Sequence, residues 1–320
     1  MGEVADSCRL LADIGGTNVR FALLAPGASQ PEQERSLVCA EYPGLEQAAR
    51  AYLAAVGAPQ IREAAIDVAT ALTGDLVKLT NSPWAFSIEQ TRRQLGLDRL
   101  VVLNDFTALA LALPGLGPDG YRQVGRGQPV PGTAIGLIGA GTGLGVSGLL
   151  PCGSRWTPIQ GEGGHVAFSP MTAREDAVLG VLRERFGHVS AERLVSGPGL
   201  VNLYQALCKL DHAAVRALTP EQITESATAG TDPQCGEALS TFCAVLGTAA
   251  ANLAITLGAR GGVFIGGGIV PKLGAYFDSS PFRARFEHKG RFSAYLAAVP
   301  TCVITEEYPA LLGLAAALQG

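Results

Sequence analysis

One local design occurs twice in this chain, and few folds accommodate it. Cys8–Leu24, CRLLADIGGTNVRFALL, reads as two apolar strands joined at Asp13-Ile14-Gly15-Gly16-Thr17-Asn18. Ala134–Leu150, AIGLIGAGTGLGVSGLL, reads as two more joined at Gly139-Ala140-Gly141-Thr142-Gly143. Glycines in such a turn permit positive φ and bare the backbone N–H groups, so each loop can approach phosphate oxygens closely. Thr17 adds a hydroxyl donor, and Asp13, at a strand end, is placed to hold Mg2+ directly or through water. The first string alone equally suits an ordinary hairpin turn. Its repetition favours two similar half-structures gripping one polyphosphate. Gly143–Gly148 matches GxGxxG, but a strand follows where a dinucleotide site needs a helix, and no GxxxxGK[ST] segment occurs.

Between the two loops lies Leu100–Leu111, LVVLNDFTALAL. Leu100–Leu103 reads as a buried strand that stops at Asn104-Asp105 and gives way to a helical run through Phe106, Leu109, Ala110 and Leu113. Ligands of open α/β sheets bind outside the carboxyl ends of the strands. Asp105 stands at such an edge and is the candidate catalytic base.

The remaining elements alternate. Gly44–Gly57 puts Leu45, Ala48, Ala49, Tyr52, Leu53 and Val56 on one helical face; Ala64–Thr70 reads as a strand, Asp75–Thr80 as half of a hairpin, and Ser87–Leu97 as a helix opened by Ser87 and Gln90 in capping-box spacing. This order makes an α/β domain with a mixed sheet. Pro114–Pro131 is dense in Pro and Gly and reads as a connection. At 320 residues the chain exceeds one compact core, so we expect residues 1–112 plus 300–320 as a small α/β domain and 113–299 as a large one. Met171–Phe186 is helical, and a helix restarts at Leu200. Leu239–Leu257 is long and uncharged, but Ser240, Thr241, Thr248, Asn252 and Thr256 make it a buried helix rather than a membrane span. Pro300–Thr305 is one more strand and Tyr308–Gln319 a closing helix.

A net charge of −4 and only four lysines argue against a nucleic-acid partner. The seven cysteines, scattered and never spaced CxxC, read as reduced thiols of a cytoplasmic protein, and the polar start of the chain carries no signal-peptide pattern.

Three further segments carry chemistry. Gln160–Ser169, QGEGGHVAFS, crowds Glu162 and His165 around two glycines. The pair could ligate a metal, but no Cys or second His lies near, and hydrogen bonding to a polyol suits them better. Glu192 precedes the turn Ser196-Gly197-Pro198-Gly199 and by itself reads as a solvated helix residue. Gly266-Gly267-Gly268 follows the strand Val263–Ile265 and leaves room for a purine to lie against the backbone.

DIGGTN, LNDF, GAGTGLG, GEGGH, ERLVSGPGL and FIGGGI, in this order from residue 13 to 268, resemble the bacterial glucokinase family of the hexokinase and actin superfamily. The resemblance implies a two-lobed, actin-like (ribonuclease H-like) ATPase fold, with mixed sheets flanked by helices and an interdomain cleft. It implies ATP- and Mg2+-dependent phosphorylation of D-glucose at the 6-hydroxyl, the first step of glycolysis. Ala12, Asp13, Ile14, Gly15, Gly16 and Thr17 would form the first phosphate loop, Gly139, Ala140, Gly141, Thr142 and Gly143 the second, and Gly266, Gly267 and Gly268 the adenosine contact. Asp105 would take the proton of the sugar 6-hydroxyl; Asn104, Asp105, Glu162, His165 and Glu192 would hold the sugar. A homodimer is implied as well. The cysteine-rich zinc motif of the repressor, ORF and kinase branch is missing, which places the chain with the zinc-free branch. Rival readings are a kinase for fructose, mannose or an N-acetylated amino sugar, and a sugar-responsive regulator. The regulator would need a DNA-reading helix-turn-helix ahead of the first loop, where only twelve residues stand. A filament-forming ATPase of actin type would have no use for Glu162 and His165.

Overall fold

The structure is a computed structural model and describes residues 7–70, 72–79 and 84–319. Two compact units emerge: Met1–Gly117 with Gly153–Gln160 and Glu306–Gly320, and Pro118–Cys152 with Gly161–Thr305.

In the first unit, strands β1 (Cys8–Ile14), β2 (Asn18–Leu24), β3 (Glu32–Val38) and β4 (Ile61–Val68) are joined by β7 (Arg99–Asn104) in the order β3-β2-β1-β4-β7. The β1–β2 hairpin is antiparallel, whereas β4 runs parallel to both β1 and β7. A separate two-stranded sheet pairs β5 (Leu76–Lys78) with β6 (Ala85–Ser87); Thr80, expected in that hairpin, lies outside the described residues.

Side-chain alternation divides the larger sheet. Leu10, Ala12, Ile14, Ala64, Ile66 and Val68 pack with Leu45, Ala48, Ala49 and Tyr52 of helix α1 (Leu45–Ala55). Helix α2 (Ile88–Gln94) follows β6. Leu11, Ala65, Val101 and Leu103 face the other way, where helix α12 (Pro309–Gln319) places Leu311, Leu314, Ala315 and Leu318, and α3 (Asp105–Ala112) places Ala108. α12 and α3 touch backbone to backbone at Gly313, whose Cβ, if it had one, would sit 1.7 Å from the Ala108 carbonyl oxygen.

The second unit repeats the plan. Strands β8 (Tyr121–Val124), β9 (Ile135–Ala140), β10 (Leu144–Cys152), β12 (Val263–Gly266) and β13 (Thr301–Ile304) run in the order β10-β9-β12-β13-β8, with β9–β10 an antiparallel hairpin and β12 parallel to β9 and β13. β11 (Arg155–Gly161) falls mostly in the first unit. Strand 301–304, expected with the small domain, instead lies in the second unit's sheet between β12 and β8, because its four buried residues complete that sheet's core.

The second core is helical. α4 (Ala173–Arg185), α5 (Gly197–Leu210), α6 (Pro220–Thr228) and α7 (Pro233–Leu257) pack with α8 (Val270–Leu273), α9 (Ala275–Ser279), α10 (Phe282–Glu287) and α11 (Ser293–Ala297). α7 is long and apolar enough to cross a membrane, yet Ala238, Leu239, Phe242, Cys243, Leu246 and Ala250 are wholly buried in this core. Ser87, Thr172, Ser196, Thr219 and Asp232 cap five helices, each accepting the N–H three residues on. The Ser196 cap and Pro198 in the first turn explain why α5 starts at Gly197 rather than Leu200.

Candidate active site

The first unit brings together three acidic residues at the carboxyl ends of β1, β4 and β7. Asp13 and Asp67 are in register on neighbouring parallel strands, and Asp67 is in register with Leu103, two residues before Asp105. Leu11, Ala65 and Val101 occupy the apolar row beneath, so the charged row caps the α12-covered face of the sheet.

Asp105 opens α3. The Asn104 side chain caps the helix, accepting from the N–H groups of Phe106 at 3.0 Å and Thr107 at 3.4 Å, and its Nδ2 donates to the Thr70 carbonyl at 3.4 Å. This places Asn104 primarily as the group that aims Asp105, a cap worth about 1 kcal/mol. One Asp105 oxygen accepts from the Phe106 N–H at 2.9 Å. Burial raises the Asp105 carboxyl from 3.8 to about 6; the Phe106 N–H opposes that rise and the Asp13 charge adds to it. A base in this range is largely ionised at neutral pH yet still has appreciable proton affinity.

The first glycine loop closes with Gly15 N–H donating to the Asn18 carbonyl at 2.9 Å, while Cys39 N–H anchors the Thr17 carbonyl at 2.8 Å. Asp13, Gly15, Gly16, Thr17, Asn18 and Arg20 line a cavity of about 230 Å3. Ala12 and Ile14 point into the core and shape the loop only through their backbone.

Arg20 was not anticipated. It pairs with Asp13 across the hairpin, its Nη1 donates to Asp13 Oδ2 at 3.1 Å, and its guanidinium lies 4.1 Å from the Tyr308 ring centroid. The hairpin register could have located it, since the strand after the loop returns Arg20 to the level of Asp13.

Asp67 also escaped the sequence reading. It is fully buried, no N–H group donates to its carboxyl, and it shares a side-chain hydrogen bond with Asp13. Burial, then the charges of Asp13 and Asp105, push its carboxyl well above the usual carboxylate range. That direction favours the neutral form, which lessens the repulsion between two in-register carboxyls.

The second unit gathers the other candidates. Gly139 and Gly266 are in register on β9 and β12, and at Gly139 a Cβ would lie 2.5 Å from the Gly266 carbonyl carbon. Gly267 has φ +80°, and a side chain there would meet the Ala140 carbonyl oxygen at 2.3 Å. Both contacts require glycine, so the second loop and the 266–268 turn pack backbone to backbone. Gly141 N–H bonds the Gly143 carbonyl, and Gly197 N–H bonds the Gly141 carbonyl at 2.8 Å, joining the start of α5 to the loop; Thr142 is exposed and Gly268 opens the next turn.

Glu162 and His165 flank the Gly163-Gly164 turn and are exposed. That turn is pressed on β10, where a Cβ on Gly164 would sit 2.0 Å from the Leu144 carbonyl oxygen. Glu192 is half-buried, not solvated: its Oε2 accepts from the Leu144 N–H at 2.9 Å. Glu162, His165 and Glu192 thus all attach to the strand that leaves the second loop.

A nucleotide with Mg2+ fits these residues. Mg2+ takes one or two carboxylates along with phosphates and water, and Asp13, 27% exposed beside the first loop, offers such a carboxylate. A structural zinc needs four Cys, His or carboxylate donors, and among the described residues no three are grouped to hold a metal.

The family model for Glucokinase matches residues 10–320. A glucokinase of Chromobacterium violaceum is 56% identical over 311 residues, covering 97% of this chain and 89% of that protein, and one of Aromatoleum aromaticum is 54% identical, covering 97% and 94%. Among solved structures, a glucokinase from an Antarctic psychrotroph superposes with a TM-score of 0.91 at 35% identity, over 98% of this chain and 99% of that one. The architecture is the actin-like ATPase fold, mixed sheets flanked by helices. A repeated strand–glycine–strand plan, a carboxylate at a strand end beside the first loop and an extended sequence match together place the chain in one group: it belongs to the glucokinase family.

Proposed function

We propose that this chain transfers the γ-phosphoryl group of ATP to the 6-hydroxyl of D-glucose, giving glucose 6-phosphate and ADP. The observation that carries the reading is Asp105, a half-buried carboxyl raised to about 6 in the same unit as a glycine-lined cavity.

The transition state of phosphoryl transfer spreads charge over the γ-phosphoryl oxygens, so catalysis is mostly positioning and electrostatics. In this reading the backbone N–H groups of the Gly15–Thr17 and Gly139–Gly143 loops receive the phosphates, and Gly266–Gly268 the adenosine. Arg20 adds positive charge at the first loop. Asp13 would hold Mg2+, which would supply neutralisation of phosphate charge. The sugar oxygen attacks phosphorus, its proton passes to Asp105, and ADP leaves with the electrons of the broken P–O bond. Glu162, His165 and Glu192 hold the other hydroxyls, with Asn104 beside Asp105. The reading includes a cytoplasmic homodimer.

A coupled assay across glucose, fructose, mannose and N-acetylated amino sugars tests it: glucose should give the highest kcat/KM. Asp105→Ala should bind glucose nearly normally, the other sugar contacts remaining, and lose about 10²–10⁴-fold in kcat. No hexose phosphorylation, or near-wild-type turnover in Asp105→Ala, defeats the reading.

A further inference from the structure

Glu192 sits where a side chain on the second loop would otherwise be. A Cβ on Gly143 would lie 2.6 Å from Glu192 Oε2, the same oxygen that accepts the Leu144 N–H at 2.9 Å. The absence of a side chain at Gly143 is therefore explained by the carboxylate packed against it. The segment carrying Glu192 is itself fixed. Ser196 Oγ donates to the Glu192 carbonyl at 2.8 Å and accepts the Gly199 N–H at 3.0 Å, while Gly197 N–H holds Gly141 at 2.8 Å. Gly199 lies close enough that a Cβ would meet the Glu192 carbonyl oxygen at 2.8 Å. The 192–199 segment thus grips the loop at both ends, by backbone at Gly141 and by side chain at Leu144.

We propose that Glu192 is a positioning residue for the second glycine loop: its Oε2 holds the loop's exit in the shape that receives nucleotide phosphates, and its other oxygen is left to the sugar. One side chain then links the two substrates, so that sugar held on Glu192 stiffens the loop and improves nucleotide binding. This rests on the reading of the Gly139–Gly143 loop as a phosphate cradle.

The role is one of hydrogen bonding, and the charge works against it. A carboxylate beside a phosphate loop repels the nucleotide, so an acceptor of the same shape without charge should serve the loop at least as well. Glu192→Gln supplies that acceptor; Glu192→Ala removes it.

The test is calorimetric titration of the full chain with the non-hydrolysable ATP analogue AMPPNP plus Mg2+, with and without glucose. Without sugar, Glu192→Ala should weaken AMPPNP binding by about tenfold, the scale of one charge-assisted hydrogen bond. Glu192→Gln should bind AMPPNP no more weakly than wild type while its KM for glucose rises. Gly143→Ala keeps Glu192 but crowds its Oε2, and should weaken AMPPNP as Glu192→Ala does; it carries the test if Glu192→Ala does not fold. Glucose should tighten AMPPNP binding in wild type and fail to do so in either alanine variant.

Wild-type AMPPNP affinity in the alanine variants, or equal weakening by Gln and Ala, overturns the proposal. A wild-type protein that phosphorylates no hexose would defeat the assigned reaction instead, because these titrations require no turnover.

Discussion

Replacing Asp105 by Asn should stabilise the protein while disabling it. The folded value of about 6 lies above the ordinary 3.8, so the folded chain holds this proton more tightly than the unfolded one. The contribution to stability is complete below about 3.8 and is lost as pH rises through about 6. Above that, keeping Asp105 ionised costs roughly 3 kcal/mol; near pH 5 the cost is about 1.5 kcal/mol. Asn is nearly isosteric, can still accept from the Phe106 N–H, and is never charged. The variant should therefore resist urea better than wild type by roughly 3 kcal/mol at pH 8 and by about half that at pH 5. Both tryptophans, Trp84 and Trp156, belong to the unit that carries Asp105, so fluorescence follows the relevant unfolding. Turnover should meanwhile fall by about 10²–10⁴-fold. An Asn variant less stable than wild type at pH 8, or a gap that ignores pH, refutes the argument that burial sets this carboxyl's affinity for protons.

Three further outcomes follow from the same geometry. The acid limb of kcat/KM should bend near pH 6 and fall about tenfold for each lower pH step, because protonated Asp105 cannot accept a proton; a plateau extending below pH 5 would contradict this. Gly313→Ala forces a methyl to within 1.7 Å of the Ala108 carbonyl oxygen, so α12 and α3 must separate, with a loss of about 3 kcal/mol or more read by thermal melting. Asp67→Asn should be at least as stable as wild type at pH 8, since it keeps the shape of a wholly buried side chain and is never charged; a loss above about 1 kcal/mol would show that the hydrogen bond with Asp13 needs the carboxyl.

The hairpin loops, the strand-to-helix junction at Asp105 and the buried character of α7 were legible because each is a local pattern. Period-two alternation, glycine clustering and capping residues are written in consecutive positions. The domain of strand 301–304 was not, since a short buried strand before a helix suits either sheet; only pairing with β8 and β12 decides. Glu192 was visible as a motif residue but read in isolation as solvated, for its Leu144 partner is distant in sequence.

Arg20 and Asp67 show where such reading stops. Both acquire meaning only from strand register: Arg20 opposes Asp13 across a hairpin, and Asp67 stands beside it on a parallel strand reached through a helix. A lone Asp in the apolar run Ala64–Val68 looks like a surface residue on an alternating strand. The structure makes it the opposite, a wholly buried acid, and its burial bears on function. Arg20 pairs with Asp13, one of a row of three acidic residues, and its charge also reaches Asp67. Were Asp67 ionised as well, a wholly buried charge would stand in register with Asp13. The upward shift of Asp67 favours its neutral form, which lessens the repulsion along a row whose Asp13 is already paired with Arg20.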